Sequence, residues 1–242
     1  MAGKRHNSFL QGVADGIPIC LGYLSVAFAF GIFVMGQGAN FEWWHALLIS
    51  MTNVTSAGQL AGVPIIAGGG TLLELAVSQL VINLRYSLMS VSLSQKMDNS
   101  VRLIDRFLIA FINTDEVFAV ASGKESVGRK YMYGLILTPY LGWSSGTLLG
   151  AVAGNILPQV VIVSLGVAIY GMFVAIVMPQ IKKDGATALC VLTAVVISCA
   201  FKYLPLLNKV PNGFVIIICA VAASALFAIV SPVRESEEEE NE

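Results

Sequence analysis

The sequence predicts an all-α, polytopic integral membrane protein with seven or eight membrane segments, some of them broken or re-entrant. Of its 242 residues, 56% are hydrophobic and 12% are charged, and the mean hydropathy is +0.78. A soluble domain of this size carries about 25% charged residues. A helix that crosses a bilayer needs about 20 apolar residues, and this chain contains several such runs in succession. These observations exclude a water-soluble fold.

Eight apolar runs define one transmembrane domain at residues 12–233. A polar leader at residues 1–11 precedes it without a cleavage-site pattern, so the first run is expected to remain as a helix. An acidic tail at residues 234–242 follows and is expected to be disordered. The runs span residues 16–36, 43–67, 71–94, 107–122, 131–154, 159–179, 186–203 and 213–231.

The distribution of charge predicts how these runs are oriented. The formal net charge of −1 hides a basic domain, because six of the 15 acidic residues lie in residues 235–242. The positive-inside rule places basic connectors in the cytoplasm and uncharged ones outside. Three full crossings from a cytoplasmic leader would place the basic connector at 96–106 outside. If the short run at 107–122 is half-buried or re-entrant, both basic stretches around it can be internal. The basic connectors are 96–106, 124–130, 182–184 and 202–209, and the connectors without Lys or Arg are 37–42 and 155–158.

Three runs contain glycine and proline signals for a broken helix. Proline removes a backbone donor and clashes with the carbonyl four residues back, so a kink or unwinding is expected near each signal. The alternative is that the small residues permit close helix packing. Similar spacing in the first and fifth runs suggests an internal repeat. The signals are Pro18 between Gly16 and Gly22, Gly58 and Gly62 ahead of Pro64, and Pro139 between Gly134 and Gly142.

The second run contains a polar patch in its middle, formed by Thr52, Asn53, Thr55, Ser56 and Gln59 around Gly58. Polar side chains in the middle of a membrane segment predict a solute-binding site. The alternative interpretation is that they form interhelical hydrogen bonds.

Arg85 lies deep in the third run, two residues after Asn83, where a charge costs at least about 2.5 kcal/mol. Three roles fit this arginine: an ion pair with an acid on another segment, direct contact with a substrate carboxylate, or snorkelling to the interface. The ion pair is the preferred interpretation. The available acids are Asp15, Glu74, Asp115 and Glu116.

Asp115 and Glu116 are adjacent, so on a helix their side chains point about 100° apart and cannot share one partner. If one of them pairs with Arg85, the other is left to titrate and can load and release a proton. The alternative places both acids in water at a cytoplasmic helix end.

Several functional classes have no signal in the sequence. The four cysteines show no Cys-x-x-Cys spacing, and no metal-binding or Ser/His/Asp set is visible. There is no Gly-rich phosphate loop and no basic, aromatic-interleaved stretch. We therefore expect no enzyme activity, cofactor, metal or nucleic-acid partner. The polar residues are concentrated in a few segments, which favours an occluded carrier site over a channel. The buried charges disfavour a scaffold role.

Six short motifs follow one another along the chain. They are Asp15-Gly16-Ile17-Pro18, Ala27-Phe28-Ala29-Phe30-Gly31, Ala57-Gly58-Gln59, Asn83-Leu84-Arg85, Thr114-Asp115-Glu116-Val117-Phe118, and Gly142-Trp143 with Gly146-Thr147 and Gly150. In this order they resemble the AzlC/YgaZ family of branched-chain amino acid exporters. The resemblance covers residues 15–154 and continues more loosely, as hydrophobicity, to residue 232.

The resemblance implies a large permease subunit with about seven membrane segments that works with a small AzlD/YgaH-like membrane subunit of about four helices. The implied activity is proton-driven export of Val, Leu, Ile and related apolar amino acids such as Met across the bacterial cytoplasmic (inner) membrane. Here Thr55 and Ser56 precede the motif at residues 57–59, and this departure from the family pattern bears on the substrate range. The alternative function is a channel or a carrier for another small solute.

An amino acid zwitterion requires donors for its carboxylate, acceptors for its ammonium group and an apolar pocket for its side chain. Broken-helix N-termini near Gly16, at the Gly16–Pro18 signal, or near Gly58 would supply the donors, because they present unpaired N–H groups. Asp115 or unwound carbonyls would supply the acceptors. Trp143 would form part of the pocket.

Overall fold

The computed structural model describes residues 8–38, 40–154, 156–158, 184–205 and 207–230, with single positions between 160 and 182. These residues form nine α-helices and no β-strand, in agreement with the predicted all-α class. Residues 1–7 of the leader, most of the run at 159–179 and the tail at 234–242 lie outside the described residues. The helices are α1 (Phe9–Met35), α2 (Trp43–Thr52), α3 (Ser56–Ala67), α4 (Leu72–Ser94), α5 (Leu103–Phe111), α6 (Asp115–Ser122), α7 (Arg129–Gly154), α8 (Gly185–Tyr203) and α9 (Asn212–Val230).

The two longest helices, α1 and α7, run parallel and touch along their whole length. A Cβ atom added at Gly146 of α7 would lie 2.5 Å from the carbonyl oxygen of Leu24, and one added at Gly150 would overlap the carbonyl oxygen of Phe28. Gly12 and Gly31 of α1 face the backbone of α7 in the same way. Small residues therefore bring the two backbones together, which is how helices gain packing energy in lipid.

The prolines that were expected to break the first and fifth runs lie inside continuous helices. Helix α1 passes through Pro18 and α7 passes through Pro139. The neighbouring glycine serves packing, because a Cβ atom at Gly16 would lie 3.3 Å from the Cδ atom of Pro139. The expectation of unwound backbone at these prolines is wrong, and close packing explains the residues. The similar glycine spacing of the two runs follows from their contact with each other.

The second run is broken, but at a different place from the one predicted. Gly58, Gly62 and Pro64 all lie inside α3, and the break is at residues 53–55. Thr55 is the N-cap of α3, with an extended backbone (φ −148°, ψ 119°). Threonine favours this position because its backbone is easily extended there and its side chain competes with helix formation.

Helices α2 and α3 form a hairpin that enters and leaves the bundle at one end. Ala46 of α2 and Val63 of α3 pack in the same cluster with Phe30, near the C-terminal end of α1. The C-terminal end of α2 lies in the middle of the bundle, where Trp143 Nε1 donates a hydrogen bond to the Ser50 carbonyl at 3.1 Å. The run at 43–67 was counted as one full crossing, and the structure corrects this.

Helix α4 runs in the opposite direction to α1. Near its start, Glu74 lies beside the loop that ends α3. After its end, Lys96 donates a hydrogen bond to the carbonyl of Ser122, and Asp98 N–H donates to the carbonyl of Val127 at 3.0 Å. Helix α4 therefore finishes at the end of the bundle where α7 begins.

Helices α5 and α6 form a second hairpin, which enters from the other end. At the start of α5, the buried carboxylate of Asp105 lies 3.0 Å from Arg129 Nε and accepts a hydrogen bond from Tyr133. That hydrogen bond, with further help from Arg102 and Arg129, holds the pKa of Asp105 below its usual range. Helix α6 begins inside the bundle, where Tyr23 donates a hydrogen bond to Glu116.

The two hairpins resolve the conflict in the predicted orientation. Because residues 43–67 turn back, α4 brings residues 96–106 to the same end of the bundle as residues 124–130. We call this end the basic end. The units α1–α3 and α4–α6 each contain a long helix and then a hairpin that enters where the long helix finishes. The two units run in opposite directions, as in an inverted repeat.

Helices α8 and α9 complete the described part of the bundle. Gly213 N–H at the start of α9 donates to Glu74 Oε1 at 2.8 Å, so α9 begins at the end opposite to the basic end. The connector containing Lys202 and Lys209 consequently lies at the end of the bundle opposite to the basic end. By length and hydropathy, Phe9–Met35 and Gly185–Tyr203 are the described helices that qualify as candidate membrane spans.

The contact between α1 and α7 makes a direct prediction. Gly150→Ala adds a methyl group where the carbonyl of Phe28 lies, and such overpacking costs about 1–3 kcal/mol. We expect a lower midpoint of thermal unfolding for this variant in a fixed detergent.

Gly22→Ala is the matched control, because no atom lies within 4 Å of a Cβ atom placed at Gly22. This change is expected to be neutral or to stabilise the helix by up to about 1 kcal/mol. Equal midpoints for the two variants would contradict the close contact.

Candidate functional site

A cavity of about 280 Å³ lies in the middle of the bundle, where the two hairpins meet. The N-terminal ends of α3 and α6 both open onto it, although the two helices belong to different hairpins. Helices α1, α4 and α7 supply the remaining described walls. The lining includes Tyr23, Val54, Thr55, Ser56, Ala57, Arg85, Tyr86, Thr114, Asp115, Glu116 and Trp143, with Val177 from outside these helices.

The N-terminus of α3 presents a concentration of positive charge to the cavity. Thr55 precedes the helix without making a side-chain capping hydrogen bond, and its hydroxyl lies 3.5 Å from Tyr86 Oη. No acidic residue occupies the first turn of α3. The first N–H groups of a helix lack intrahelical partners and bear the positive end of the dipole. This end of the cavity therefore suits an anionic group.

The N-terminus of α6 has the same backbone geometry and the opposite charge. Thr114 is the N-cap without a capping hydrogen bond, and Asp115 and Glu116 occupy the first turn. The Thr114 hydroxyl is buried and has no hydrogen-bond partner. The two carboxylates outweigh the partial positive charge of the helix end. The cavity is thus positive at α3 and negative at α6.

Asp115 forms the ion pair with Arg85. The contact is bidentate, with 2.8 Å between Nη1 and Oδ1 and 2.7 Å between Nη2 and Oδ2. Arg85 Nη2 also donates to Tyr86 Oη at 3.0 Å. Bidentate pairs fix geometry as well as charge, so Arg85 and Asp115 hold α4 against the start of α6.

Glu116 is left without a basic partner. Its carboxylate accepts a hydrogen bond from Tyr23, and no ion pair joins it to a lysine or arginine within the described part of the chain. Tyr23 packs edge-to-face on Trp143, with ring centroids 5.1 Å apart. The tyrosine therefore orients the carboxylate, and the indole forms the apolar wall next to it.

The predicted site residues separate into three groups. Those in the cavity wall are Thr55, Ser56, Arg85, Asp115, Glu116 and Trp143. Those beside it are Asn53 and Asn83, which line a neighbouring cavity, together with Gly58, which packs against Gln79, and the buried Gln59. Those away from it are Pro18, inside α1, and Asp15, which accepts hydrogen bonds from Gln11 and Tyr131 and pairs with Lys124 at 3.1 Å.

Two tyrosines of the cavity were missed from the sequence. Tyr23 holds Glu116, and Tyr86 contacts both Thr55 and Arg85. A phenol in the middle of an apolar run is a polar group that needs a partner, and this was the available signal.

Comparison with known proteins identifies similar sequences. The model of the AzlC protein family matches residues 18–157, which include α1 from Pro18 onward and reach past the end of α7. The inner membrane protein YgaZ of Escherichia coli is 28% identical over 197 residues, covering 78% of this chain and 79% of that protein. An uncharacterized membrane protein of Archaeoglobus fulgidus is 32% identical over 176 residues, covering 72% of this chain and 76% of its own. An uncharacterized membrane protein of Helicobacter pylori is 26% identical over 157 residues, covering 62% of this chain and 67% of that protein. No solved structure matches the chain significantly.

The ion pair between Arg85 and Asp115 is testable by a double-mutant cycle. Arg85→Gln and Asp115→Asn each leave one charge unpaired, so each is expected to lower the free energy of unfolding. The loss of unfolding free energy in the double variant should be smaller than the sum of the losses in the two single variants, with a coupling energy of about 1 kcal/mol or more. Denaturation of the four proteins in the same detergent measures it.

Additive effects would contradict a direct interaction. An Arg85→Gln variant that unfolds normally and has lost only substrate binding would instead support direct contact with the substrate.

Proposed function

Because this chain belongs to the AzlC family of membrane proteins, we propose that it is a secondary transporter that exports apolar amino acids. The proposed substrates are the branched-chain amino acids Val, Leu and Ile, and Met. The observation that carries the proposal is the charge asymmetry of the central cavity, with an uncapped helix N-terminus on one side and the unpaired Glu116 on the other.

Each part of an amino acid zwitterion has a counterpart in this cavity. The carboxylate would accept hydrogen bonds from the N–H groups of Ser56 and Ala57 at the start of α3. The ammonium group would bind Glu116, and the apolar side chain would lie against Val54 and Trp143. The volume of about 280 Å³ is at the lower limit of ligand cavities, which span about 300–1,000 Å³. A single small amino acid fits such a volume better than a larger solute.

The proposed membrane topology has six crossings and two re-entrant hairpins, eight segments in all. The crossings are α1, α4, α7, α8, α9 and the apolar run at 159–179. The positive-inside rule places the basic end in the cytoplasm of a bacterial cell, with the protein in the cytoplasmic membrane. Both hairpins then end in the middle of the bilayer, where backbone groups without partners are tolerated only inside protein or at a cavity.

Glu116 is proposed to couple transport to protons. Asp115 is neutralised by Arg85, so Glu116 is the acid that is free to exchange a proton. An ionised Glu116 attracts the ammonium group from the cytoplasm. Protonation of Glu116 from the outside removes that attraction and favours the empty return of the carrier. The outcome is exchange of one proton for one amino acid.

The chain is proposed to work with a small AzlD/YgaH-like membrane subunit. The side chains of Arg85 and Asp115 are 55% and 45% exposed, although they lie at the level of the central cavity. Both residues line the central cavity, and any part of the pair that faced lipid would find no hydrogen bonds there. A second subunit that covers the pair would remove this exposure.

Valine transport in proteoliposomes tests the proposed function. Glu116→Gln keeps a hydrogen-bonding group for Tyr23 and removes the charge. It should abolish transport driven by a pH gradient and weaken valine binding about tenfold or more, because a hydrogen bond to a charged group contributes about 1.5–3 kcal/mol. The matched control is Glu125→Gln, an exposed glutamate at the basic end, which should transport normally.

The experiment is carried out with and without the co-reconstituted small subunit. Unchanged pH-driven valine transport by folded Glu116→Gln protein would refute the proton role. Absence of valine transport by the unmodified protein under both conditions would refute the proposed activity.

A further inference from the structure

A second cavity lies on the other side of the contact between Thr55 and Tyr86. Its volume is about 160 Å³, and it is lined by the C-terminal ends of α2 and α5 and by one face of α4. The central cavity receives the N-terminal ends of the partner helices, α3 and α6. The turn of each hairpin therefore places one helix N-terminus at the central cavity and one helix C-terminus at the second cavity. The positive dipole ends face the first cavity and the negative ends face the second.

Two amide side chains of the second cavity, those of Asn83 and Asn113, each donate a hydrogen bond through the nitrogen and have an oxygen without a partner among the described residues. Asn113 Nδ2 donates to Ser90 Oγ at 3.1 Å, and Asn83 Nδ2 donates to Gln79 Oε1 at 3.3 Å. The Oδ1 atoms of Asn83 and Asn113 are buried and have no hydrogen-bond partner. Asn113 as a whole is only 2% exposed. Buried polar atoms in native proteins normally have partners, so these two oxygens indicate a ligand that accepts their lone pairs.

Gln79 fixes the orientation of this network. Its Nε2 atom donates to the carbonyl of Gly58 at 2.8 Å, so its Oε1 atom must be the acceptor for Asn83. Asn53 Nδ2 donates to the same oxygen at 3.0 Å. The amide groups of Asn53 and Asn83 consequently cannot turn their nitrogens into the cavity without losing these hydrogen bonds.

The helix ends add main-chain oxygens to this set. Thr52 and Phe111 are the last residues of α2 and α5, and both line the cavity. Neighbouring carbonyls already accept hydrogen bonds, including that of Ser50 from Trp143 and that of Met51 from Tyr140. The final carbonyls of a helix have no intrahelical donors. The helix ends at Thr52 and Phe111 therefore place main-chain oxygens in the same cavity wall as the amide oxygens of Asn83 and Asn113.

We propose that the second cavity binds a small monovalent cation, of which Na⁺ is the representative. The binding groups are Asn83 Oδ1, Asn113 Oδ1 and the main-chain oxygens at the ends of α2 and α5. All of these oxygens are uncharged, and no carboxylate is among the described residues that line the cavity. Divalent cations such as Ca²⁺ are usually bound with the help of carboxylates, so neutral oxygens favour a single positive charge.

The cation links the two hairpins without using the proton site. Its ligands come from α2 and α5, one helix of each hairpin, and from α4 between them. Thr55 and Tyr86 line both cavities, so an ion in the second cavity stabilises the wall of the first. Glu116 is not among the ligands, so the cation does not occupy the proposed proton and substrate site.

Thermal unfolding of the purified full-length protein in nanodiscs tests this site. NaCl should raise the unfolding midpoint in a saturable manner, relative to choline chloride at the same ionic strength. The same measurement in KCl and LiCl shows which ionic radius the site prefers. Asn113→Leu should weaken the apparent Na⁺ affinity about tenfold or more, as loss of a group that supports a metal site does. Asn99→Leu, at an exposed position in the connector after α4, should retain the wild-type response.

Asn83→Ala provides a second variant in case Asn113→Leu does not fold, and the same weakening is expected. Identical unfolding in NaCl and choline chloride, or an unchanged Na⁺ response in the folded Asn variants, would overturn the proposal. Competition between valine and Na⁺ would also overturn it, because the second cavity would then hold the ammonium group of the substrate. Because no step requires transport, failure of this experiment leaves the proposed export activity intact, and the reverse also holds.

Discussion

The backbone contact between α1 and α7 is the interaction on which the rest of the site depends. It brings Tyr23 of α1 against Trp143 of α7, with ring centroids 5.1 Å apart. Each ring then holds one hairpin, since Trp143 donates to the end of α2 and Tyr23 donates to Glu116 at the start of α6. Helices in lipid gain little from the hydrophobic effect, so the glycines that allow this contact have a structural role that larger residues cannot replace.

The two hairpins place four helix ends in the middle of the bundle, and this arrangement has an electrostatic consequence. Each end has backbone groups without intrahelical partners, which is unfavourable in a bilayer unless protein or a cavity receives them. The N-terminal ends share one cavity and the C-terminal ends share the other, with Thr55 and Tyr86 between them. The positive and negative ends of the helix dipoles are thereby separated between two cavities that share Thr55 and Tyr86.

Composition and run length were sufficient to predict an all-helical membrane protein, and the isolated charge at Arg85 indicated an ion pair with an acid elsewhere. The hairpin at 43–67 was not predictable from length, because 25 apolar residues suit either one crossing or two half-helices. Pro18 and Pro139 are stronger helix-breaking residues than Thr55, yet α1 and α7 remain continuous there, because their packing compensates for a lost hydrogen bond. The roles of three polar residues, Gln79, Tyr23 and Tyr86, depend on neighbours that are distant in the sequence. Helix propensity describes a residue's local preference and does not predict such contacts.

Cysteine labelling on intact cells is the most direct test of the opposed hairpins. Starting from a variant without its four native cysteines, Leu72→Cys, Asn99→Cys and Ser126→Cys introduce one thiol each at exposed connector or helix-end positions. The account predicts that a membrane-impermeant reagent labels Leu72→Cys from outside the cell, and that Asn99→Cys and Ser126→Cys react only after the membrane is opened. Labelling of Asn99→Cys from outside, with both Leu72→Cys and Ser126→Cys protected, would show that residues 43–67 and 107–122 cross the membrane and would contradict the opposed hairpins.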